Sequence, residues 1–131
     1  MALDRPSSPR AALVTRSSVV ATLGPYPGRV VLCATRRAFA AALKKYRAAE
    51  TSQLPDVSAD SSYGGYTACA PDSTYLVWAE NPVYLVHELS HVVLNCFTYI
   101  RADPRECNGE PFCYLMQELY QQAMKLEWAG T

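Results

Sequence analysis

The stretch Asn81-Pro82-Val83-Tyr84-Leu85-Val86-His87-Glu88-Leu89-Ser90-His91-Val92-Val93-Leu94 decides how the rest of this chain is read. Asn81 is a good N-cap and Pro82 suits the first helical position, so a helix starts here. Apolar residues recur through it without a breaker, and Asp103-Pro104 marks the stop that follows. The expected helix runs from Pro82 to about Ile100, apolar around most of its girth, as a buried central helix would be. Within it sits the pattern H-E-x-x-H. Residues four apart on a helix share one face, so His87 and His91 can direct ring nitrogens at one metal ion. Glu88 then projects beside them, within reach of a metal-bound water. These are the only two histidines in the chain. Two histidines and a glutamate on an apolar helix need polar partners, and a metal supplies one.

Working outward, the segment before this helix reads as a hairpin. Tyr66–Ala70 and Thr74–Ala79 are strand-like, with a tight turn at Pro71-Asp72-Ser73. Residues 51–65 are rich in Ser, Asp, Pro and Gly and read as a loop. Further back, Arg29–Ala34 is a short apolar run that suits a buried strand. Thr35 caps a helix expected from Arg36 to about Glu50, with Phe39, Leu43 and Tyr46 on one face. Residues 1–17 show no period and are expected to form a flexible arm, leaving 18–131 as one domain. Downstream, a last helix is expected from Asn108–Pro111 to about Trp128. Few short strands and long helices make this an α+β chain, a small mixed sheet packed on the H-E-x-x-H helix and a C-terminal helix.

Composition narrows the function classes. The chain has 131 residues, one domain's worth, with twelve basic and twelve acidic side chains. Zero net charge gives no electrostatic reason to expect nucleic acid as a partner. No apolar run is long enough for a membrane span or a signal peptide, so neither is expected. Five cysteines without a C-x-x-C pair suggest neither a disulfide framework nor a zinc ribbon. A reducing cytoplasm is the expected compartment.

A catalytic zinc takes three protein ligands and keeps one position open. Acidic side chains after the motif are Asp103, Glu106, Glu110, Glu118 and Glu127. Glu110 is favoured as third ligand because it opens a helix long enough to pack against the first, with Phe112 and Leu115 as apolar anchors. Cys107 is the rival donor. The H-E-x-x-H helix, followed by a glutamate in Glu110-Pro111-Phe112-Cys113-Tyr114-Leu115, resembles the gluzincin metallopeptidases. Within that clan it is similar to compact members, the ImmA/IrrE-like peptidases and small phage- or prophage-encoded metallopeptidases. The resemblance covers Asn81 to about Gln121. It implies a minimal zincin-like domain that hydrolyses a peptide bond in a protein or peptide substrate. It also implies zinc on His87, His91 and Glu110, Glu88 as general base, and a cytoplasmic setting, the host's if the chain is phage-encoded. No third histidine exists, so the metzincin pattern is excluded, and the transition-state histidine of larger gluzincins has no counterpart. Tyr114 is the first candidate for that role, with Tyr66 and Tyr75 behind it. Two other classes remain open: a zincin-fold binding module with little turnover, and a zinc amidohydrolase acting on a small amide.

Overall fold

A computed structural model describes residues 16–54 and 64–128. The expected arm therefore falls, except for Arg16 and Ser17, outside the described residues. The protein is α+β, with seven main elements: β1 (Ser18–Thr22), β2 (Arg29–Cys33), α1 (Arg36–Lys45), β3 (Gly65–Ala70), β4 (Thr74–Ala79), α2 (Pro82–Tyr99) and α3 (Glu110–Ala123). The four strands form one mixed sheet in the order β1-β2-β4-β3. β1 and β3 are the edges and pair antiparallel to their neighbours, while β2 and β4 run parallel in the centre.

The two central strands read as unbroken apolar runs because both faces are covered. Alternate side chains go to opposite faces. Val30, Leu32, Tyr75, Val77 and Ala79 face α2 and α3 in the larger core. Val31, Cys33, Leu76 and Trp78 face α1, where they meet Phe39 and Leu43. α2 lies over β3 and β4, and α3 lies beside it toward β1. Gln122 ties α3 to that edge, with its amide bonding both the N–H and the carbonyl of Thr22.

The strand β1 was not expected. Ser18-Val19-Val20-Ala21-Thr22 is short and small in side chain, and its alternation is weak: Ala21 is buried while Val20 is 52% exposed. Pairing with β2 gives it a strand partner. The first helix is shorter than expected. Thr35 caps it as anticipated, accepting from the Ala38 N–H at 3.0 Å. It ends at Lys45, however, because Arg47 turns left-handed (φ 56°), and a short 3-10 turn over Ala48–Glu50 redirects the chain. That turn delivers Thr51 and Ser52 to the edge of β3. The last helix is also shorter, ending at Ala123. Trp128 folds back instead of continuing it, donating its indole N–H to the Ala123 carbonyl at 2.7 Å. A helix C-terminus offers free carbonyls, and the indole N–H takes one of them.

α2 starts where the sequence placed it. Asn81 Oδ1 accepts from the N–H groups of Val83 and Tyr84. The helix is not buried all round, though. Leu85, Leu89, Val92, Val93, Cys96 and Phe97 face the core, while Val83 (78% exposed), Val86, Leu94 and Tyr99 face out. With one sheet beneath it and one helix beside it, α2 has cover on a single side. Gly28 holds the sheet's start. Its φ is +104°, and a Cβ there would sit 2.6 Å from the Ser73 carbonyl oxygen.

Packing sets a pH window. Burial pushes the Cys33 thiol up to about 12. An unfolded thiol ionises from near pH 8.5. The folded state keeps its proton above that point, so stability is whole below about pH 8.5 and falls as pH rises toward 12. We expect urea stability to drop by about 2 kcal/mol between pH 7 and 10, and the drop to shrink in Cys33→Ala. Equal pH slopes in the two proteins would refute this.

Candidate functional site

The site is built on the flank of α2 that faces the β3 edge. Helical periodicity turns Glu88 toward the sheet, His91 and Asn95 follow on the same flank, and His87 points further out. Glu88 is only 8% exposed. A buried carboxylate needs a donor, and β3 supplies one: Thr67 Oγ1 lies 2.7 Å from Glu88 Oε1 and 3.1 Å from its main-chain carbonyl. Gly65 lets the strand come this close. A Cβ at that position would lie 3.0 Å from Glu88 Cγ and 3.2 Å from its Oε2.

The two histidines are exposed, and their Nε2 atoms stand 3.2 Å apart with the rings nearly perpendicular. Two ring nitrogens this close need one N–H donating to the other ring or a cation between them. A tetrahedral ion with Zn–N bonds of about 2.0–2.1 Å spans two ligands at a separation of this size. The Nε2 separation matches that of two nitrogen ligands on one tetrahedral ion.

Gly65, Tyr66, Thr67, Cys69, Glu88, His91 and Asn95 line a cleft of about 280 Å³. A larger cavity of about 490 Å³ lies on the other face of the sheet, between β1 and α1. Its lining contains no histidine, cysteine or carboxylate. Of these two cavities, only the smaller is lined by a histidine, a cysteine and a carboxylate.

The remaining candidates are placed elsewhere. Glu110 is exposed at the start of α3. Phe112 packs on Phe97 (ring centroids 5.9 Å apart), the side of α2 away from β3. Among the described residues no three histidine, cysteine, aspartate or glutamate side chains gather as a metal-binding group, so neither Glu110 nor the exposed Cys107 joins the histidine pair. Tyr114 is 65% exposed and lines a groove with Pro25, Tyr26 and Glu118 rather than the cleft. Tyr75 is in the core under α2, where burial holds its hydroxyl up at about 12. Tyr66 lends its backbone to the cleft, and its ring packs near Phe39 on the opposite face. Comparison with protein-family models, with characterised proteins and with solved structures gives no match to this chain.

Thr67 was not anticipated. Its link to Glu88 runs between a strand and a helix, and no sequence spacing encodes such a contact. Thr67→Val keeps the shape and removes the donor, leaving a buried acceptor unsatisfied. We expect a loss of about 1–3 kcal/mol in urea denaturation and recovery of most of it in Thr67→Ser. A Thr67→Val protein as stable as wild type would show that the hydroxyl does not hold Glu88.

Proposed function

We propose that this protein is a zinc-dependent hydrolase that cleaves a peptide bond, with His87 and His91 as metal ligands and Glu88 as the general base. The observation that carries the reading is the 3.2 Å separation of the two Nε2 atoms beside a carboxylate seated in a cleft. A zinc ion held by this pair would supply Lewis acidity, polarising a water molecule and a substrate carbonyl. Glu88 accepts a proton from water in the cleft and returns it to the leaving nitrogen. Thr67 fixes one carboxylate oxygen, so the other is left for the proton. The β3 edge offers backbone groups to an extended peptide, as in strand addition.

Glu110 is the carboxylate that the gluzincin resemblance assigns as third ligand, and it is retained here as a proposal. Its side chain is exposed at the start of α3, apart from the histidine pair among the described residues. The segment that delivers it has three successive left-handed residues, Cys107 (φ 54°), Asn108 (φ 58°) and Gly109 (φ 77°). All five cysteines are free thiols, which suits a reducing compartment, and the cytoplasm is the proposed setting. No helix among the described residues is long and apolar enough to cross a membrane.

The test is elemental analysis of protein purified without chelator, followed by incubation with a peptide library and a search for new termini. One zinc per chain and Glu88-dependent cleavage are expected. Protein that neither retains nor takes up a transition metal would overturn the proposal.

A further inference from the structure

Cys69 shows which backbone groups of β3 face away from the sheet. Its N–H donates to Ser52 Oγ at 3.0 Å, and its carbonyl accepts from Ser52 Oγ at 2.9 Å and Thr51 Oγ1 at 2.6 Å. One serine hydroxyl thus meets both the N–H and the C=O of Cys69, as the backbone of a neighbouring strand would. Outward and inward groups alternate along an antiparallel edge. The inward bond from the Glu80 N–H to the Gly64 carbonyl fixes the same phase at the other end. Gly65 and Thr67 therefore share the outward orientation of Cys69. Their backbone groups face the cleft that contains Glu88 and His91, and they have no backbone partner there among the described residues. Among the described residues, the edge is unpaired at Gly65 and Thr67 and closed at Cys69.

We propose that Thr51 and Ser52 are specificity-determining residues that stop an incoming peptide at Cys69. This rests on reading the cleft as the peptide-binding site. A peptide added to β3 pairs with Gly65 and Thr67. Two residues further on, about 7 Å along the strand, it meets the two hydroxyls. Antiparallel pairing is the more stable arrangement, and it brings the N-terminal side of the peptide to the stop. The ligand class is therefore an extended peptide or protein N-terminus, with few residues ahead of the bond beside Glu88. A long strand pairing on both sides of that bond is excluded by the same two hydroxyls.

Two readouts test this. The first is cleavage of a pooled synthetic peptide library whose members differ in the number of residues ahead of each bond. Wild type is expected to cut within about three residues of the N-terminus, and Thr51→Gly/Ser52→Gly to lose that preference at least tenfold. Ser52→Ala serves as the milder variant if the double variant does not fold. The second readout needs no turnover. In Glu88→Gln protein, amide hydrogen exchange at Gly65 and Thr67 is expected to slow when the library is added, with Cys69 already slow and unchanged. Protection at these two amides without cutting by wild type would sink the hydrolase and keep the stop. Glu88-dependent cutting at positions indifferent to the chain end and to the variants would overturn the stop and keep the hydrolase. Absence of both protection and cutting would overturn the proposal.

Discussion

Glu88→Gln is expected to reduce hydrolysis by on the order of a hundredfold or more while leaving fold and bound zinc intact. The substitution is nearly isosteric, which matters where Glu88 is 8% exposed and Gly65 leaves its side chain little room. Glutamine keeps an oxygen for the 2.7 Å bond from Thr67 Oγ1, so the helix stays docked on β3. What it loses is the ability to take a proton from water. Circular dichroism and metal content should match wild type, and only the rate should fall. A variant that cuts at the wild-type rate would remove Glu88 from the chemistry. A variant that also loses zinc would show that the carboxylate helps hold the metal.

His91→Ala is expected to weaken zinc binding by more than a hundredfold, since losing only an outer partner of a ligand already costs about 10–100-fold. The alanine sits on the exposed flank of α2, outside the core that Leu89, Val92 and Val93 build, so thermal stability of the metal-free protein should hardly change. Competition with a chromogenic chelator measures the affinity. Glu110→Gln belongs in the same experiment, with a loss of at least tenfold expected and Glu118→Gln as the silent control. Unchanged affinity in Glu110→Gln would leave the histidine pair as the metal-binding element and send the search for a third donor elsewhere. Unchanged affinity in His91→Ala would end the zinc reading itself.

Local signals were the legible part of this sequence. Caps at Thr35 and Asn81 act through atoms two to three residues away, and both helices begin where those residues stand. Doubly covered strands leave continuous apolar runs, so β2 and β4 could be read directly. The closeness of His87 and His91 was legible because an i, i+4 spacing fixes two side chains on one helix. The rest depended on distant partners. β1 is a strand because β2 lies beside it. The bonds of Thr51 and Ser52 to Cys69 depend on Arg47 turning left-handed, which nothing in its neighbours announces. The sidedness of α2 was misread for a related reason: Val83, Val86 and Leu94 are apolar yet face out, so composition alone overstated how much of the helix is covered. Glu110 was chosen from its place at a helix start, but that place does not fix which flank of α2 it approaches.

The cleft is made almost entirely from one continuous run, Gly65 through Asn95, in which β3, β4 and α2 pack on their chain neighbours. The parallel pairing of β2 with β4 is the step that must wait for a distant segment. Contacts of short sequence separation form early because little chain must be closed to make them. The hairpin and helix can therefore come together as a cooperative unit before β1 and β2 arrive, and open as one unit afterwards. A damaged N-terminal half would then lower the yield of folded protein while the molecules that do fold keep a normal site. Screens scored only on total activity would mistake such folding lesions for lesions of the chemistry.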